Sequence, residues 1–133
     1  MRLAMPDPAK QFFAATPASV GLARQFAMTT LASWGLPARA EEIRLCVSEL
    51  ASNALTHGTT PGHGFLVTLA AEEDFVRLEV HDTQSPRPEV QHPSSTDTSG
   101  RGLLIVEALS DGWGVQDRQP LGKVVWSCFK SGD

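Results

Sequence analysis

The sequence has only two cysteines, Cys46 and Cys128, and they stand far apart inside apolar patterns. That scarcity excludes a disulfide framework and any Cys-x-x-Cys metal site, and it suits a reducing cytoplasm. Basic residues are also few. Eleven Lys and Arg face fifteen Asp and Glu, for a formal net charge of -4, with no basic cluster of the kind that nucleic acid demands. Direct nucleic-acid binding is therefore not expected. No stretch approaches the roughly 20 consecutive apolar residues of a membrane span. The opening MRLAMPDPAKQFFAA is broken by Pro6, Asp7, Pro8 and Lys10. A soluble, unexported chain without a membrane partner is the expectation. Repeats, domain linkers and long low-complexity tracts are missing as well, so 133 residues with 41% hydrophobic content read as one domain around one core.

What is present is ordered periodicity. Residues 1–15 show no period and read as a loose arm or an edge element, leaving 16–133 as the domain proper. TPASVGLARQFAMTTLASWGLP predicts a helix with Thr16 as N-cap and Pro17 at the first helical position, carrying an apolar stripe of Val20, Ala23, Ala27, Leu31 and Trp34. It stops at Gly35 and Pro37. A second helix is predicted from about Ala40 to His57, with Ile43, Val47, Leu50 and Ala54 as its stripe and Gly58 as a left-handed stop. FLVTLAA and FVRLEVHD read as an antiparallel hairpin, and the period of two puts Asp82 on the apolar face of Val76, Leu78 and Val80. The segment from Thr83 to Gly100 is rich in Pro, Ser and Thr and reads as a functional loop or lid, its central part being about Pro86 to Ser99. A short helix from about Leu103 to Leu109 and two strands, GWGVQD and LGKVVWSCFK, complete the chain. This order of elements predicts an α+β, two-layer sandwich: a mostly antiparallel sheet with helices on one face.

Three polar features interrupt these apolar patterns. Glu49, Asn53 and His57 are spaced four apart, so on a helix they form one row bordering the buried stripe. Such a row either faces solvent or, if covered, needs partners. A carboxylate with an amide oxygen suits hydrated Mg²⁺, whereas His57 alone suits a helix C-terminus. Asp82 either opens an Asx-turn in DTQSP or lies buried and must accept hydrogen bonds, for which an exocyclic amine is one suitable donor. SGRGLLIVEAL places Gly100 and Gly102 just before a helix, where they serve either as a flexible entry or as a phosphate-binding backbone. The dinucleotide fingerprint is excluded, since no strand precedes these glycines and a third glycine is missing. His57, His63, His81 and Cys46 match no metal-ligand spacing. Trp34, Trp113 and Trp126 fall in patterned elements and read as packing residues.

In this order the features resemble one family over about residues 17–130: the small anti-sigma-factor serine/threonine kinases of the gyrase, heat-shock chaperone and histidine-kinase ATPase superfamily. ELASNALTHG resembles the family's N-box, VHDTQSP its first glycine box, TSGRGLLIVEALSDGWGV its second, and GKVVWSCF its closing strand. The resemblance implies a Bergerat (histidine-kinase-like ATPase) sandwich that binds ATP and Mg²⁺. It implies a partner in a sigma factor or a STAS-type anti-sigma-factor antagonist, the antagonist being phosphorylated on Ser or Thr. Relatives are commonly dimers, so a homodimer is implied too. By motif, Glu49 would be the general base, Asn53 the Mg²⁺ ligand and Asp82 the reader of the adenine amine. His57, Gly100, Arg101, Gly102 and Leu103 would complete the nucleotide site. The sequence departs from the pattern at Gln84 and Pro86, where the superfamily has glycines, and at Val124, where many relatives have a threonine that helps the aspartate. The alternative is a non-catalytic, nucleotide-sensing module that sequesters a regulator.

Overall fold

The two pairs of strands predicted from the sequence supply four of the five strands of a single sheet. The computed structural model describes residues 5–58, 63–82, 98–117 and 122–131, of which 57, 58 and 98–102 are described by their backbone only. Strand β1 (Ala9–Ala14) leads into helix α1 (Ala18–Trp34) and helix α2 (Ala40–Asn53), which continues into a single π-helical turn at Ala54–Gly58. The hairpin β2 (Gly64–Ala71) and β3 (Phe75–Asp82) follows, then helix α3 (Thr98–Leu109) and the hairpin β4 (Gly112–Asp117) and β5 (Lys123–Lys130). Strand order is β1-β2-β3-β5-β4, with every neighbouring pair antiparallel. Residues 9–14, expected as a loose arm or an edge element, form the edge strand, and Phe13 anchors it by stacking on Phe65 with ring centroids 5.6 Å apart. Among the described residues no helix is long and apolar enough to cross a membrane.

One sheet face is covered by the helices. Val76, Leu78 and Val80 of β3 and Val125 and Phe129 of β5 meet Ala23, Ala27 and Leu31 of α1, Ile43, Val47 and Leu50 of α2, and Leu103 and Val106 of α3. The stripes of α1 and α2 and the inward phase of β3 are those that the periodicity predicts, so burial of apolar area sets the two-layer arrangement. The other face carries Arg77, Glu79, His81 and Trp126, with the Arg77 guanidinium 4.6 Å from the Trp126 ring.

Helix ends depart from expectation in three places. At the start of α1 the boundary residue is Pro17, in helical conformation and without a side-chain cap, while Thr16 Oγ1 meets Ser19 Oγ at 3.1 Å. At its end the prediction is met: Gly35 sits at φ 70°, and Leu36 N donates to Leu31 O, which closes the helix. The helix predicted to run to His57 is α-helical only to Asn53, because residues 54–58 widen into a π turn. Periodicity over five residues cannot separate an i→i+4 from an i→i+5 turn. Helix α3 starts at Thr98, five residues before the predicted Leu103. Two glycines lower helix propensity by about 1 kcal/mol each, yet Leu103 and Val106 are completely buried and hold the helix in place.

Arg39 fixes the layers to each other. It precedes α2, and its guanidinium donates to Glu42 Oε2 (2.9 Å), Asp111 Oδ2 (2.8 Å), Leu109 O (3.0 Å) and Lys130 O (3.1 Å). It also lies 5.5 Å from the Phe129 ring. One side chain thus ties the start of α2, the end of α3 and the open end of the β4–β5 hairpin, with a cation placed at a helix C-terminus. Arg39→Ala is expected to lower unfolding stability by about 2–4 kcal/mol, read by urea denaturation. The Lys130 backbone N–H and then Arg39 hold the Asp111 carboxyl below its ordinary range. A depressed pKa contributes stability that is complete above the ordinary value of about 4 and is lost as pH falls through the folded value. The urea midpoint should therefore be flat near neutrality and drop in acid, and Asp111→Asn should reduce that drop.

Candidate nucleotide site

Asp82 is the last residue of β3 and keeps the inward phase of Val76, Leu78 and Val80, so its carboxylate is 3% exposed. A buried carboxylate needs strong partners. Lys123, the first residue of β5, stands directly opposite in register, and its Nζ donates to Asp82 Oδ1 at 2.9 Å. The lysine is buried as well, at 4%. The family resemblance implies that Val124 stands where a threonine helps the aspartate; in the structure Val124 pairs with His81 and belongs to the opposite face. Because β5 is apolar on both faces, alternation could not fix its phase. Gly122, at φ 103°, makes the entry to β5 in a conformation that side chains rarely adopt.

On α2, Glu49 and Asn53 lie one turn apart and are both half-buried, which makes them the border row expected from spacing. The Asn53 Nδ2 is buried and has no hydrogen-bond partner among the described residues. An orphaned amide at the rim of a core costs stability unless a ligand or water completes it. The π turn that follows Asn53 packs on β3, and α2 packs on both β3 and α3, so Asn53 belongs to the helix that touches the strand of Asp82 and the helix of Gly100 and Gly102. His57 falls within the π turn, and the widened turn takes it off the even four-residue spacing of Glu49 and Asn53. Its side chain lies outside the described residues.

Gly100, Arg101 and Gly102 are in the first turns of α3, not ahead of it. Their side chains are outside the described residues, but the backbone assignment puts Gly100 among the N–H groups that an α-helix leaves without intrahelical acceptors. Leu103 has its side chain in the core, completely buried, and as the sixth residue of the helix it lies beyond the first four N–H groups. Gln84, Pro86 and the segment to residue 97 lie outside the described residues.

The remaining candidates do not converge. His81 is on the far sheet face, with Nε2 2.9 Å from Glu79 Oε1. Burial, and after it the charges of Glu49 and Glu42, push the Cys46 thiol up to about 12, so it stays protonated and unreactive at neutral pH. Among the described residues no group of three or more His, Cys, Asp or Glu is placed to hold a metal ion. A cavity of about 300 Å³ lies between β1 and α1, lined by Gln11, Leu22, Gln25, Phe26, Thr29 and Thr30, and shares no residue with Asn53, Asp82 and Lys123.

The model of one protein family, the histidine kinase-like ATPase domain, matches residues 13–129, from the edge strand to the end of β5. The chain belongs to the histidine kinase-like ATPase family. No curated protein matches it. Family membership accounts for the architecture just described: an ATP-binding domain with an open, five-stranded antiparallel sheet and three helices. One residue beside Asp82 and one that holds the layers together are not legible in the sequence. Lys123 was hidden by the two-sided apolar character of β5, although a lysine directly after a glycine at a strand start was a visible break in that pattern. Arg39, which positions α2 and α3, reads in the sequence as an ordinary loop charge.

Proposed function

We propose that the chain is an ATP- and Mg²⁺-dependent serine/threonine protein kinase of the anti-sigma-factor type, acting in the cytoplasm on a STAS-type antagonist and sequestering a sigma factor. The observation that carries this reading is the pairing of a buried strand-end carboxylate, Asp82, with the half-buried Glu49–Asn53 row on a helix of the same packed group. Asp82 would accept from the exocyclic amine of adenine. Asn53 Oδ1 has the ligand chemistry for a hydrated hard cation, and its orphaned Nδ2 is a donor that a phosphate oxygen or a water would complete. Mg²⁺, when bound, neutralises charge on the triphosphate. Backbone N–H groups at the start of α3 would face the phosphates.

Glu49 would take the proton of the attacking hydroxyl, one turn before the amide that holds the metal. Phosphoryl transfer is mainly positioning and charge neutralisation, so this short list of groups suffices. The test is incubation of the full chain with radiolabelled ATP, Mg²⁺ and candidate antagonists. Label on an antagonist Ser or Thr supports the kinase. An antagonist that binds and stays unlabelled, with ATP bound, would replace it with a nucleotide-sensing binding module. A homodimer is part of the proposal, read by sedimentation.

A further inference from the structure

The Asp82–Lys123 pair is unusual in its setting. Every other inward residue of β3, namely Val76, Leu78 and Val80, is apolar and buried, and the inward face of β5 continues with Val125, Ser127 and Phe129. At the end of β3 and the start of β5 the sheet instead presents a carboxylate and an ammonium, 2.9 Å apart and 3% and 5% exposed at their side chains. A buried ion pair contributes little net stability over an apolar pair of similar volume. Net stability alone therefore gives little reason for it. The pair is, however, an acceptor beside a donor, fixed by register on adjacent strands.

We propose that Lys123 is a second base-reading residue: its ammonium donates directly to the ring-nitrogen acceptor N1 of adenine while Asp82 accepts from the neighbouring exocyclic amine. This rests on the nucleotide reading of the site given above. The adenine edge presents a donor beside an acceptor, which complements Asp82 and Lys123 in that order. Guanine in the same pose presents the reverse, its carbonyl oxygen against the carboxylate and its ring N–H against the ammonium. Lys123 thereby adds discrimination against guanine to that of Asp82. A lysine ammonium carries three donors, so the bond to Asp82 Oδ1 and one to the base are compatible.

The test is calorimetry on the full chain with Mg²⁺ and three nucleotides: ATP, 1-deaza-ATP, which lacks the N1 acceptor, and 7-deaza-ATP, which keeps it. In the parent, 1-deaza-ATP should bind ~10-fold or more weaker than ATP, since the lost bond is charge-assisted. 7-deaza-ATP should bind like ATP. In Lys123→Met the 1-deaza penalty should vanish. Removing the ammonium leaves Asp82 buried without this partner, and the variant could fail to fold. Lys123→Gln is the second variant: it keeps an uncharged donor, and in it the penalty should shrink severalfold. Equal affinity of the parent for ATP and 1-deaza-ATP overturns the proposal. So does a penalty undiminished in the lysine variants, which assigns N1 to a water. Absence of ATP binding altogether sinks the nucleotide reading itself, and the inference with it.

Discussion

Glu49→Gln leaves ATP affinity close to that of the parent while phosphate transfer to the antagonist falls by ~10²-fold or more. Glutamine keeps the length and hydrogen-bonding capacity of glutamate but cannot take a proton. The site is half-buried on α2, where one charge can be removed without opening the core. Loss of the carboxylate should also relieve part of the electrostatic pressure on Cys46, whose thiol is raised first by burial and then by Glu49. The comparison is made by measuring initial rates of label transfer and nucleotide affinity on the same two proteins. Transfer at the parental rate would remove Glu49 from the chemistry.

Asn53→Ala, by contrast, loses both binding and transfer. The amide is the only side chain in the helix row with an oxygen suited to a hard cation and no charge of its own, and without it the triphosphate would keep its repulsion. Mg²⁺-dependent ATP affinity should fall by ~10-fold or more and transfer by at least as much. Stability should move the other way, or not at all. Removing an orphaned buried Nδ2 relieves an unsatisfied polar group, so the urea midpoint should be unchanged or higher. A variant that binds nucleotide normally would refute the metal role, and one that unfolds would show the amide to be structural.

The fold was legible where one period dominated. The stripes of α1 and α2, the β2–β3 hairpin and the inward phase of Asp82 follow from spacing alone, because burying an apolar face leaves few alternatives. Legibility failed where periodicity carries no information. Residues 54–58 could not announce a π turn, and the glycines at 100 and 102 argued for a loop although the buried side chains of Leu103 and Val106 anchor a helix that runs back to Thr98. The site was half legible. Glu49, Asn53 and Asp82 stand out as polar breaks in apolar patterns, and each finds its place on packed elements. The lysine facing Asp82 needed strand register, which depends on how β3 and β5 pair and not on either strand alone. Arg39 needed the tertiary fold, since its four acceptors come from residues 42, 109, 111 and 130.

The most direct test of the account is titration of the full chain with ATP and with GTP in the presence of Mg²⁺, followed by calorimetry. The account predicts saturable binding of ATP at one site, with GTP at least ~10-fold weaker because its carbonyl oxygen meets the Asp82 carboxylate, and loss of that preference in Asp82→Asn. Equal affinity for the two nucleotides, or no heat of binding with either, would contradict it.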